Sequence, residues 1–131
     1  MIVRHKVYHR LDYHLVFVTK FREGFLTREV LSRFEALCQK KANELGFIMH
    51  ISNGYLDHVH LLVSLKPVHQ VSEIIRHIKG FTSREIRGLK WQRGYAAFTV
   101  DKRSFDSVFR YIKTQEVHHS RQLPDYLDLA S

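Results

Sequence analysis

Cysteine is nearly absent from this chain of 131 residues, with Cys38 the single one. One thiol excludes an internal disulfide and any four-cysteine zinc site. Cys38 lies in "FEALCQK" at helical spacing from Phe34 and Leu45, so it reads as a core residue. Long apolar runs are missing too. No stretch approaches the roughly 18 residues of a membrane span, and the opening "MIVRHKVYHR" carries basic residues without the apolar segment of a signal peptide. A soluble, cytoplasmic protein is the expectation. Repeats, linkers and low-complexity segments are also lacking. With 44% apolar residues in periodic segments, a single globular domain spanning 1–131 follows.

Acidic residues are the other shortage. Thirteen Asp and Glu stand against 21 Lys and Arg, leaving a formal charge of +8 with ten histidines in reserve. The isoelectric point is near 9.8. The basic residues recur in "TKFR", "RHIKG", "SREIRGLKWQR" and "DKRS". Charge of this size implies an anionic partner, most often nucleic acid.

What is present is strong periodicity. Residues 10–20 alternate Tyr13, Leu15 and Phe17 against His14, Val16 and Val18, as a strand does. From Thr27 to Leu45 the spacing of Leu31, Phe34, Cys38 and Leu45 predicts a helix, with Thr27 as N-cap, Glu29 in the first turn and Gly46 as the stop. "FIMHISNGYLD" and "DHVHLLVSL" predict two further strands, with a bulge or turn at Asn53-Gly54 and a close at Pro67. A second helix, about 70–89, stripes Val71, Ile74, Ile75 and Ile78, is weakened at Gly80 and ends at Gly88. "YAAFTV" is a short strand. A last helix, about 104–119, opens at Ser104 as N-cap and buries Phe105, Val108, Phe109 and Ile112. A short tail, 120–131, follows.

The order β-α-β-β-α-β-α suits a ferredoxin-like α+β sandwich. It has one four-stranded antiparallel sheet, two helices on one face and an extra C-terminal helix. In "DHVHLLVSL" the residues Val59, Leu61, Val63 and Leu65 share the face toward the helices. His58 and His60 then point together to the open face. Two imidazoles two apart on a strand can bind one metal ion, and a tight site needs a third ligand from elsewhere. On the last helix Tyr111 and Gln115 share a face about 100° from the apolar stripe, and His118 continues it.

At this point five segments carry a resemblance: "YHLVFVTKFR", "DHVHLLV", "IKGFTSREIR", "LKWQRGYAAFTV" and "YIKTQEVHH". In this order, over about residues 8 to 120, they resemble the small single-tyrosine HUH transposases. These belong to insertion sequences that move as single-stranded DNA, a family that also includes the REP-associated tyrosine transposases. "HVH" matches the HUH motif, and "YIKTQ" matches the motif of a tyrosine with glutamine four residues later.

The resemblance implies a strand-helix core over about 8–101 and a catalytic helix over about 104–119. It implies that His58, His60 and Gln115 bind a divalent cation. Mg²⁺ would serve in cells and Mn²⁺ would substitute, since this ligand set favours Mn²⁺ or Ni²⁺ in affinity. Tyr111 would attack the scissile phosphate, forming a covalent 5′-phosphotyrosine and freeing a 3′-hydroxyl. A free phenol ionises near pH 10 and needs help as a nucleophile; a metal ion at the phosphate supplies it. Partners implied are single-stranded DNA with hairpins near element ends and a second copy of the chain. The active sites of such a homodimer are in some members shared in trans, and the short "DKRS" loop is compatible with the helix movement this needs. Candidates for DNA backbone contact are Lys20, Arg22, Arg76, Lys79, Arg84 and Arg87. The rivals are a non-catalytic ferredoxin-like nucleic-acid-binding domain, another HUH enzyme such as a replication initiator or relaxase, and a domesticated HUH nuclease acting on repeated genomic palindromes. The first lacks the expected aromatic stacking segments. A relaxase places its tyrosine before the histidine motif, whereas Tyr111 follows it.

Overall fold

The structure, a computed structural model, describes residues 6–115. Its elements are β1 (Leu11–Val18), α1 (Arg28–Leu45), β2 (Ile48–Tyr55), β3 (His58–Leu65), α2 (Val71–Glu85), β4 (Ala96–Val100) and α3 (Phe105–Lys113). The strands form one sheet in the order β2-β3-β1-β4, every neighbouring pair antiparallel. This is the expected ferredoxin-like arrangement. Among the described residues no helix is long and apolar enough to cross a membrane.

Alternation along the strands sorts the side chains onto two faces. Leu15, Phe17, Val59, Leu61 and Val63 join Phe34, Cys38, Ile74, Ile75 and Ile78 of α1 and α2 in the main core. Its centre is aromatic. Trp91 meets Phe17 edge-on at 4.8 Å and Phe34 at 5.6 Å, and its indole N–H donates to the Thr82 hydroxyl at 3.0 Å. Cys38 is fully buried here, and burial raises its thiol pKa well above the ordinary value. Thr27 and Gly46 close α1 as expected: the Thr27 hydroxyl accepts from the Val30 amide at 3.3 Å, and Gly46 is left-handed at φ 77°.

Several local details differ from the sequence reading. Helix α2 stops at Glu85, before Gly88, because the chain turns inward to bury Ile86 and Leu89. Ser104 makes no side-chain capping bond; Asp101 accepts from the Ser104 amide at 2.8 Å instead. The register shift in β2 lies between Met49 and Ile51, not at Asn53-Gly54. Gly54 matters for a different reason, since a side chain there would collide with the His58 carbonyl of β3. A bare backbone at residue 54 lets β2 lie close against the strand that carries the histidines.

The second face of the sheet differs most from expectation. It is not open: α3 lies across β2 and β3, on the face opposite α1 and α2. Ile112 is fully buried against Leu62 and Val100, with Phe105, Val108, Phe109 and Tyr111 packed around them. The Asn53 amide donates to the Lys113 carbonyl at 3.1 Å, satisfying a carbonyl that the end of the helix leaves without an internal partner. Helix α3 ends at Lys113, where the sequence reading runs on to 119, because Thr114 leaves the helical conformation at φ −109° and ψ 37°; residues 116–119, His118 among them, and the tail fall outside the described residues.

Candidate active site

The sheet register assembles the site. β1 and β3 pair with Val16 opposite His60 and His14 opposite Leu62, so His14, His58 and His60 all point to the α3 side. His58 and His60 do not face solvent, because α3 covers them and both are fully buried. Tyr111 hangs from α3 above them. Its ring stands edge-on to His60, centroids 5.5 Å apart at 84°, and 6.2 Å from His14 at 71°. Gln115, one turn on, is also buried.

Each donor atom has its direction set by a neighbour. The Gln115 amide nitrogen donates to the Tyr111 carbonyl at 3.0 Å, which turns its Oε1 toward His58 Nε2 at 3.4 Å. On the other side of the His58 ring, Nδ1 lies 2.9 Å from Asp57 Oδ1. A carboxylate only accepts, so Nδ1 carries a proton, and in the neutral ring Nε2 holds the lone pair. Partial burial works to raise the pKa of Asp57, but hydrogen bonds from His58 and from Arg22 (Nε to Oδ2, 2.9 Å) hold it below its usual value. Asp57 therefore stays a carboxylate at neutral pH and orients the imidazole.

His60 is oriented by His14. His60 Nδ1 and His14 Nε2 are 2.8 Å apart, with the rings stacked at 5.0 Å. Burial lowers the His14 pKa from 6.5 to about 4, so at neutral pH His14 is uncharged and can accept. With His60 Nδ1 donating to it, the Nε2 of His60 is the atom left to ligate.

These donors fit a divalent cation. His58 Nε2 faces the Gln115 carbonyl oxygen at 3.4 Å, long for a hydrogen bond, and in the neutral ring the two lone pairs there suit a shared ion. Among the described residues no three His, Cys, Asp or Glu side chains are grouped to hold a metal. Beside the two imidazoles, the Gln115 oxygen is the described group placed to share a cation with His58. His14 and Asp57 stand behind the two imidazoles, and neither was assigned from sequence. Asp57 adjoins the motif, and His14 sits on the same alternation as Val16 and Val18; only the register shows which ring it meets.

His14 also makes folding sensitive to acid. Its imidazole titrates near 6.5 in an unfolded chain and about 4 when folded. Between those values the unfolded chain holds more protons, so stability falls as pH drops through this window and the loss levels off below it. Denaturant unfolding of wild type and His14→Gln from pH 7 to 4 checks this. The variant is expected to show the shallower slope over that window, and equal slopes would contradict it.

The basic candidates divide. Lys20, Arg76 and Lys79 line one open groove of about 870 Å³ between α2 and the segment before β4, with Lys90, Arg93 and Tyr95. Arg76 there pairs with Glu73 at 2.6 Å. Lys79 is turned inward, donating to the carbonyls of Gln92 and Gly94 at 2.8 and 2.6 Å, and burial lowers its pKa to about 8. Arg22 is committed to Asp57. Arg84 and Arg87 are exposed and do not line this groove.

Comparison with known proteins places this geometry in a family. The profile described as "Transposase IS200 like" matches residues 7–115. The chain is 25% identical over 119 residues to the ISDra2 transposase TnpA of Deinococcus radiodurans, covering 82% of this chain and 85% of that one. Two solved structures share the fold. One is a Deinococcus radiodurans protein described as a transposase, with TM-score 0.67 and 24% identity, covering 88% of this chain and 98% of that one. The other is a REP-associated tyrosine transposase bound to a REP hairpin, with TM-score 0.63 and 17% identity, covering 91% and 74%. Since the profile spans the whole sheet, both histidines, Tyr111 and Gln115, the chain belongs to the IS200-like transposase family.

Proposed function

We propose that this transposase cleaves and rejoins single-stranded DNA at the ends of an insertion element through a covalent 5′-phosphotyrosine at Tyr111. The observation that carries the reading is the convergence on one sheet face of Tyr111, edge-on to His60, and Gln115, whose Oε1 faces His58 Nε2. The Tyr111 oxygen bonds to phosphorus as the bond to the 3′-oxygen breaks, and that oxygen leaves as a 3′-hydroxyl. One phosphodiester replaces another, so a later 3′-hydroxyl can reverse the step without ATP. His58 and His60 through Nε2 and Gln115 through Oε1 would hold a divalent cation, Mg²⁺ in cells and Mn²⁺ as substitute, which when bound neutralises charge on the phosphate and orients the leaving oxygen. Asp57 and His14 keep the two imidazoles turned to that task.

The same geometry supports a single-stranded substrate. A hydroxyl on a helix must approach its phosphate in line with the leaving oxygen. A stacked duplex resists that bend, whereas a flexible strand can follow the basic groove and cross to the sheet face. The homodimer belongs to this reading; in the single chain Tyr111 already lies over its own histidines, and a shared site would exchange α3 between subunits. Cleavage of hairpin-bearing single strands taken from the element's flanks is expected, with little cleavage of the same sequence fully paired. Comparable cleavage of the duplex would overturn the substrate assignment.

A further inference from the structure

The turn after β1 holds a strained, exposed aromatic. Phe21 is 78% exposed with φ 59°, and the next residue, Arg22, is left-handed as well at φ 56°. Bulky side chains rarely take this backbone, and two in succession persist only where the surroundings impose it. Here they do. The Lys20 amide donates to the Lys90 carbonyl at 2.9 Å, and the Thr19 amide donates to the Asp57 carbonyl at 2.9 Å. The Thr19 hydroxyl donates to the Glu23 carbonyl at 2.7 Å, and Arg22 is bonded to the Asp57 carboxylate. Glycine would fit the turn with less strain, and the Phe21 ring contributes nothing to the core.

The turn is also wired to the site. Asp57, which receives Thr19 and Arg22, is the residue that orients His58. The Lys20 ammonium lies 5.4 Å from the Phe21 ring centre. A cleft of about 310 Å³ beside the ring is lined by Lys20 and Lys90 against the single acid Glu23. An aromatic face held out beside lysines suits a ligand with a flat ring and a nearby negative charge. A nucleotide of a single strand has both.

We propose that Phe21 is a stacking platform for one unpaired nucleobase of the DNA strand that runs to Tyr111, with Lys20 and Lys90 meeting its phosphates. This rests on single-stranded DNA being the substrate. Stacking is tolerant of base identity, so the contact anchors the strand without reading its sequence. The rigid link through Asp57 fixes the distance between the anchored base and the histidines.

The test compares two probes of equal charge: an oligothymidylate of about 16 nucleotides, and an abasic strand of the same length. Phe21→Ala is expected to weaken oligothymidylate binding about ten-fold while leaving the abasic strand unaffected. Phe21→Trp should restore it. Phe21→Gly should lose the same affinity without a lower melting temperature, because it relieves the left-handed strain. Equal loss on both probes, or on neither, overturns stacking. So does self-association lost with DNA affinity intact, which would assign the ring to a second copy of the chain. If wild type binds neither probe, the single-strand reading itself falls, and stacking with it.

Discussion

Tyr111→Phe is expected to abolish formation of a protein–DNA adduct, with strand cleavage down by about 10⁴-fold or more and DNA binding nearly unchanged. Only one oxygen is removed. The ring keeps its edge-on contacts with His60 and His14 and its place beside Ile112, so stability should change by no more than about 1 kcal/mol. The neighbouring hydroxyls are turned elsewhere: Ser107 of α3 is exposed, and Thr114, which caps the helix, is exposed and donates back to the Arg110 carbonyl at 2.9 Å. Hairpin-bearing single strands run on denaturing gels check the result, and wild-type levels of adduct would remove Tyr111 from the chemistry.

The second large effect concerns the histidines. His58→Ala and His60→Ala are each expected to eliminate cleavage and to weaken Mn²⁺ binding by well over the roughly 10–100-fold that outer-sphere changes produce. Gln115→Ala should be milder, because a neutral amide is the weakest ligand of the three. Calorimetric Mn²⁺ titration separates loss of the metal from loss of the tyrosine. Unaltered affinity in both histidine variants would leave the buried pair as a structural feature of the sheet. Because removing either imidazole also strands a partner, Asp57 or His14, circular dichroism must show the fold retained before the titration is read.

Much of the fold is legible in the sequence because its signals are local. The alternation of β1 and β3, the stripe of α2, Thr27 at the start of α1 and left-handed Gly46 at its end all act within a few residues. The candidate site residues are legible for another reason: spacing puts His58 with His60 and Tyr111 with Gln115 on shared faces, and the family resemblance of "HVH" and "YIKTQ" supplies their expected roles. What completes the site is not local. The His14–His60 contact depends on the β1–β3 register, a pairing across 46 residues. The covering of the second sheet face depends on the packing of Ile112 onto Leu62 and Val100. Helix α2 ends early because Ile86 and Leu89 gain more by entering the core than by continuing a turn. Phe21 gave no signal, since its conformation is imposed by Lys90 and Asp57 from distant segments.

The most direct measurement is mass spectrometry of the wild-type protein after incubation with hairpin-bearing single-stranded DNA and Mn²⁺. Peptide mapping should find the strand 3′ of the cut attached through its 5′-phosphate to Tyr111, alongside a free strand ending in a 3′-hydroxyl. Cleavage with no protein-bound strand, or attachment at any other residue, would contradict the tyrosine mechanism.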